Sequence, residues 1–523
     1  MRDLLKKTAA FIILFIWTLI LYPLKLSAQN NMPSLKNQLL VILVSDLSIK
    51  DKLFDPKGLY SLVHIIPRKN DNDLISDLQK ANISFVALTE DEYTSWGYKS
   101  KSPIILIKDS QIKNLNTVLS YNTSERDVMI TSLSKTINPL WIQKNATGLL
   151  YSSSTKKEGF IKYADLLFLL SYNNTLSQNT IYFKENTNPI QYLKNLYSQN
   201  TSLFYGRYLL IAYILGAFLL FLYFKKYRLI FGYSIFFCML LSTIFGFHIF
   251  APLNGIIKSS MIIFLSWVLG IFMEYLKLDY KKTFLFIWSS NLFLLLYFTF
   301  SRIFLYKSPI GFNNIFQGTR FYGWNNDLIG IFLGSLLGIF FLISNIKKTN
   351  FLFMLILLLF TCILCFSPLY GANVGGMLCC FAAILASIYF FEEIKTKKII
   401  YIGMSILIFL LLQNYFVHWD LSQASSTHWG IWIQSMSKKE FSFSFGIIYD
   451  KLKQILLFIL IPPLNIFIFL SWILLNELRN LKIYDEKWKK IFFIISAAII
   501  FLNDSGVLSS VYMLFYFLIP MLV

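Results

Sequence analysis

A chain of 523 residues that is 56% hydrophobic, 18% aromatic and only 15% charged, with a mean hydropathy of +0.57, lies outside the range of ordinary soluble domains. Its formal net charge of +20 comes from Lys and Arg in short clusters between apolar runs. No stripe of base-stacking aromatics accompanies them, so the charge argues for membrane topology and against a nucleic-acid partner.

At the start, Arg2, Lys6 and Lys7 precede the apolar run Ala9 to Tyr22, which Pro23 and Lys25 close. Leu26-Ser27-Ala28 then offers a small residue before Gln29, the pattern of a secretory signal peptide over residues 1–28. An uncleaved N-terminal anchor is the alternative. Either way, the segment that follows is exported.

Residues 30–200 read as an α/β domain. The short apolar runs Gln38 to Ser45, Ser84 to Leu88, Pro103 to Lys108 and Gly148 to Ser152 are expected as buried strands. Asp73 to Lys80 and Lys162 to Leu170 carry helical spacing between them, and this alternation predicts a largely parallel sheet. Asn173 to Asn179 reads as a loop and as a tether to the first span.

From Tyr208 onward the chain is a series of nearly uncharged runs long enough to cross a hydrocarbon core. Spans are expected near 207–224, 229–249, 257–275, 283–302, 327–345, 351–367, 374–391, 399–416 and 454–474, with a divided stretch over 489–523. The total is about ten or eleven spans, an α-helical polytopic domain over 207–523. With the exported segment outside, connections alternate sides, and the Lys/Arg bias can test them. The inner connections hold Lys225, Lys226 and Arg228; Lys277, Lys281 and Lys282; Lys347 and Lys348; Lys395, Lys397 and Lys398; and Arg479, Lys482, Lys487, Lys489 and Lys490. The outer ones are poorer for their length, with Lys258, then Arg302, Lys307 and Arg320, and then Lys438, Lys439 and Lys451 in the longest. The bias therefore assigns the N-terminal domain to the outer side of the membrane and the Lys/Arg-rich connections to the inner side.

All five cysteines, Cys238, Cys362, Cys365, Cys379 and Cys380, lie in apolar runs. No disulfide framework is expected in the exported segment, and the Cys362-x-x-Cys365 pair reads as packing inside a helix.

The unusual polar groups fall at the outer ends of spans. Arg320 to Asp327 (RFYGWNND) precedes the fifth span, Gly371 to Gly376 (GANVGG) enters the seventh, His418 to Gly430 follows the eighth, and Asn503 to Gly506 (NDSG) divides the last apolar stretch. Polar groups near hydrocarbon are costly and turn toward a cavity or one another. Asn326 and Asp327 are equally suited to capping a helix, and Arg320 suits either an anion or lipid headgroups. The glycines of GANVGG suit close helix packing, with Asn373 its polar member. His418, Asp420 and His428 form too loose a set for a metal, and His418 suits an aromatic belt, which leaves His428 as a candidate base. Asn503 and Asp504 mark either an outer turn or a broken helix. Lys438 to Lys453, with Phe441, Phe443 and Phe445 between charged flanks, reads as an interfacial element able to cover these groups.

At these motifs the sequence resembles a group of bacterial polytopic membrane proteins of uncharacterised function, whose exported domain is similar to the alkaline phosphatase superfamily. The group's signatures run approximately R-F-Y-G-I-G-N-E-Y, G-A-N-V-G-G, S-H-x-G-R and N-D-S-G-V. Here Asp327 stands near the group's Glu, and Ile431 replaces its Arg. In the exported domain, Leu39 to Ser48 resembles the strand ending in the first metal-binding Asp of such enzymes, which would be Asp46. The run Leu149 to Ser171 resembles one of their late segments. The superfamily's nucleophile and its Asp/His ligand set have no counterpart, since the domain holds one histidine, His64. The resemblance thus implies a degenerate alkaline-phosphatase-like domain without two-metal chemistry.

The expected function is action on a lipid-linked or phosphate-bearing envelope substrate at the outer leaflet. Arg320, Asn326, Asn373 and Asn503 would bind substrate, and Asp327, His428 and Asp504 would be catalytic. Membrane lipids, a lipid-linked glycan and envelope assembly proteins are the candidate partners; no metal is assigned and the sequence names no cofactor. A transporter or lipid flippase, and a non-catalytic assembly scaffold, are the alternatives. The flippase would need polar residues at mid-depth, for which Asn291 and Glu274 are the few candidates.

Overall fold

The computed structural model describes ten strand segments between residues 30 and 185, then residues 186–246, 253–300, 308–311, 323–343, 348–367, 373–421, 486–503 and 506–523, with isolated residues besides. The leader 1–28, the helical pattern Asp73 to Lys80 and the span near 454–474 lie mostly or wholly outside the described residues.

The strands are β1 (Asn30–Asn31), β2 (Gln38–Val44), β3 (Leu59–His64), β4 (Val86–Leu88), β5 (Ile104–Asp109), β6 (Arg126–Thr131), β7 (Ile137–Ile142), β8 (Gly148–Ser152), β9 (Phe160–Lys162) and β10 (Ile181–Glu185). They form one sheet in the order β1-β10-β8-β3-β7-β6-β2-β5-β4, with β9 also paired to β3. The sheet is mixed rather than largely parallel. Its β4-β5-β2-β6 half is parallel, and there β2, QLLVILV, apolar after Gln38, lies between two parallel neighbours, the sequence pattern of a central strand in a parallel sheet. The change of sense comes at β6 and β7, which pair antiparallel. Residues 132–136 alone join them, too few for the crossover that a parallel pair needs. Lys162, expected to open a helix, closes β9.

From residue 189 the described chain is helical. The helices are α1 (Pro189–Tyr223), α2 (Arg228–Ile244), α3 (Gly255–Tyr275), α4 (Tyr280–Phe300), α5 (Asn326–Ile343), α6 (Lys348–Phe366), α7 (Val374–Phe391), α8 (Lys395–Leu421), α9 (Glu486–Leu502) and α10 (Gly506–Leu522). Seven helices are long and apolar enough to cross a membrane, α1, α3, α4, α5, α7, α8 and the one containing α2, and shorter apolar helices at Phe351–Phe366 and Gly506–Leu522 accompany them. This is a multi-pass helical membrane domain.

α1 begins well before its apolar part. Asn188 caps it by accepting from Gln191 N at 3.2 Å, and Pro189 supplies the first helical residue, where its missing N–H costs nothing. Residues 186–188 alone separate β10 from α1. At 35 residues, α1 is about 52 Å long, against a hydrocarbon core of about 30 Å.

Helix ends sort into two faces. On the first, where α1 begins, Gly255 N donates to Ser202 Oγ at 3.0 Å, and the start of α5 meets α1, α7 and α10. On the second, Arg228 Nη1 donates to Leu522 O at 2.7 Å, closing the end of α10, and Lys487 reaches Glu393 at 3.2 Å. The ends meeting on each face are those that the alternation of connections assigns to one side.

The core lies between α5 and α10. Along α5, Gly330, Gly334 and Gly338 follow one another every four residues, so they share a face. A Cβ on Gly330 would collide with the backbone carbonyl of Ser509, one on Gly334 would approach Met513 Cα at 3.0 Å, and one on Gly338 would meet Trp288 at 2.8 Å. With no water between apolar helices to expel, this close approach is the main source of packing energy. Trp288, Phe236 and Tyr516 fill the space beside it with rings about 5 Å apart, within the range of favourable aromatic pairs.

Candidate functional site

On the first face, the segment before α5 is held from several sides. Gly323 adopts φ 92°, a left-handed conformation that suits glycine, and lets the chain turn into Trp324. Trp324 N donates to Gly371 O at 2.8 Å and its indole N–H to Thr299 Oγ1 at 2.9 Å. Asn325 is the cap of α5: its Oδ1 accepts from Leu328 N at 3.0 Å, while its Nδ2 donates to Ile310 O at 2.7 Å.

With the capping role taken by Asn325, Asn326 and Asp327 are available for other partners. Asp327, 1% exposed, receives Arg207 Nη2 from α1 at 2.6 Å. Asn326 Oδ1 accepts from Asn373 Nδ2 at 3.0 Å, and its backbone carbonyl accepts the Ser509 hydroxyl of α10. Asn373 is fully buried and occupied on every side. Its Oδ1 caps α7 by accepting Gly376 N at 2.8 Å, and its second Nδ2 proton goes to Trp324 O at 3.1 Å. Asn503, 4% exposed, lies against the same turn: a Cβ on Gly375 would stand 3.2 Å from its Oδ1. Of the residues singled out in the sequence, the fold therefore gathers Asn326, Asp327, Asn373 and Asn503 into one cluster. Arg320, His428, Asp504 and the segment Lys438 to Lys453 lie largely or wholly outside the described residues, as does the side chain of His418.

Sequence reasoning missed Arg207, which it counted as the first residue of a span. The available signal was a cation at a span end on the side where cations are sparse. It also missed Ser509 and Tyr512 of α10, whose roles depend on helix packing; Tyr512 is 1% exposed and within electrostatic range of both Arg207 and Asp327.

The position of Arg207 follows from the α1–α3 crossing. Gly206 and Gly255 touch backbone to backbone there, and a Cβ on either would overlap the other helix. This contact sets the rotation of α1 and turns the next residue, Arg207, toward α5. Its guanidinium makes one bond to Asp327, its side chain stays 21% exposed, and its Nε is buried with no hydrogen-bond partner.

Electrostatically, α3, α5, α7 and α10 all begin on this face, and each helix start carries about half a positive charge. Chemically, a braced guanidinium and a half-buried Asn326 among helix starts can hold an oxyanion. Among the described residues no group of His, Cys, Asp and Glu is placed to hold a metal ion. No family model, no curated protein and no solved structure matches this chain.

Proposed function

We propose that the chain is an integral membrane protein of the bacterial cell envelope acting on a lipid-linked, phosphate-bearing substrate at the outer face of the cytoplasmic membrane. The observation that carries this reading is the Arg207–Asp327 pair at 2.6 Å beside Asn326 and Asn373. The Lys/Arg bias makes the first face the outer one. Arg207 and Arg320 hold phosphate, and Asn373 positions Asn326. Asp327 braces Arg207, leaving proton transfer to His428 or Asp504.

The leader delivers the sheet to the same side. On the resemblance to the alkaline phosphatase superfamily, Asp46, two residues after β2 in the sequence, would be the residue corresponding to the first metal-binding Asp. A transporter would need a polar path at mid-depth. Asn291 is instead 2% exposed and accepts the Thr243 hydroxyl at 2.9 Å, a tie between helices of the kind that holds membrane bundles together.

The test is the lipid and glycan composition of envelopes from cells carrying wild type, Arg207→Ala, Arg320→Ala or His428→Ala, with expression and insertion matched. One lipid-linked intermediate accumulating on the outer leaflet is the expected result. Accumulation on the inner leaflet would indicate a flippase, and unchanged envelopes in all three variants would overturn both readings.

A further inference from the structure

The polarity that the cluster turns outward is fixed by a relay of amides that begins at a backbone group. Gly376 N, in the first turn of α7, can only donate, so the atom of Asn373 facing it at 2.8 Å is the acceptor Oδ1. Asn373 Nδ2 therefore lies on the other side, where it meets the backbone carbonyl of Trp324, which can only accept, at 3.1 Å. The same Nδ2 meets Asn326 at 3.0 Å, and the atom that receives it is Oδ1. Backbone groups thus settle both ends of Asn373, and Asn373 settles Asn326, whose own Nδ2 is turned away from it.

Asn326 is the half-buried member of the cluster, whereas Asn325, Asp327, Asn373 and Ser509 are buried. The acceptors beside it are engaged inside the protein: Asn325 Oδ1 with Leu328 N, Asp327 Oδ2 with Arg207 Nη2, and the Asn326 carbonyl with the Ser509 hydroxyl. The face therefore presents an amide NH2 near a guanidinium. Donors of this kind suit a group rich in lone pairs, such as an ionised phosphoryl group, and do not suit an ammonium group. We infer that Asn326 is the specificity-determining residue of this face: its Nδ2 donates to a phosphoryl oxygen of the substrate, and Asn373, out of the ligand's reach, is the positioning residue that keeps the amide from turning over. The inference rests on the reading of this face as the phosphate side and adds which atom selects the ligand and what holds that atom.

The test uses the purified full chain in detergent, with binding read by thermal shift and native mass spectrometry. The probes are a long-chain prenyl phosphate and the prenyl alcohol and prenyl amine with the same tail. Wild type is expected to bind the phosphate about tenfold more tightly than either of the others, the scale of one hydrogen bond to a charged group. Asn326→Asp is the deciding variant. It is isosteric, still accepts from Asn373 Nδ2, and puts an acid in the first turn of α5, where a helix tolerates one. Only the outward NH2 becomes an anionic oxygen, so phosphate affinity should fall about tenfold and the preference should move toward the amine, with Tm in the absence of ligand near wild type. Asn373→Asp keeps the acceptor for Gly376 N and removes the donor that fixes Asn326, and it should narrow the phosphate preference severalfold. Asn326→Ser drops the amide at a polar helix start and decides the matter if Asn326→Asp folds poorly. Wild-type selectivity in both Asn326 variants would overturn the inference and leave the phosphate reading standing, and wild-type selectivity in Asn373→Asp would overturn the positioning role. Equal binding of phosphate and alcohol by wild type would overturn the inference together with the reading beneath it.

Discussion

α5 and α8 are matched in apolarity and opposite in surroundings. Their best windows have hydropathies of 2.0 and 1.9, yet 78% of the α5 window is buried in the protein and none of the α8 window is. Hydropathy reports that a helix can cross a membrane and says nothing of whether it meets protein or lipid, because the two are equally apolar. The difference lies in the small and polar residues. α5 carries three glycines on one face and Asp327 at its head, while α8 has Gly403, where a Cβ would meet no other described part of the chain within 4 Å.

The largest effect is expected at the head of α5. Asp327→Ala leaves the largely buried Arg207 without its carboxylate and should cost about 3–5 kcal/mol, read as a loss of Tm or of folded yield for the full chain in detergent. A near-wild-type result would show that the pair does not hold α1 to α5. Next, Gly330→Ala drives a methyl group into the Ser509 carbonyl and should cost about 1–3 kcal/mol; full tolerance would mean that the seam between α5 and α10 is looser than described. Asn373→Ala sharpens the comparison at α7, whose window is half buried at a hydropathy of 2.1. It removes a helix cap worth about 1 kcal/mol and frees Asn326, so Tm of the full chain in detergent should fall by less than in Asp327→Ala. The smallest effect belongs to α8: Gly403→Ala should change stability by less than about 0.5 kcal/mol, since Ala is the better helix former and meets no neighbour. A large loss there would place the Gly403 side of α8 in a protein contact, beyond the one that Phe409 and Phe416 already make, and dissolve the contrast.

The helical half was the more legible part of the chain. Long apolar runs separated by Lys/Arg clusters locate helices, and α2 to α8 fall where such runs are expected. α1 was misjudged at its start, because residues 189–206 are polar enough to fall before the first apolar span expected at 207–224; Asn188 followed by Pro189 was the readable cap. The apolar strand runs were legible too, whereas the mixed sense of the sheet was not, because β7 and β3 become neighbours only through long-range pairing. At the site, Asn326, Asp327, Asn373 and Asn503 stood out as polar residues in apolar surroundings. Their partners did not. Arg207 lies 120 positions from Asp327, and Ser509 lies 183 positions from Asn326, separations that no local pattern spans.

The length of α1 has a mechanical consequence. β10 passes into the helix through residues 186–188, and the helix runs unbroken past Arg207 into its apolar stretch. The sheet and the guanidinium thus ride on one stiff rod, with the Gly206–Gly255 contact as its fulcrum. A rotation of the sheet about the axis of α1 would be passed along the helix to Arg207, where the Gly206–Gly255 contact and the bond to Asp327 resist it.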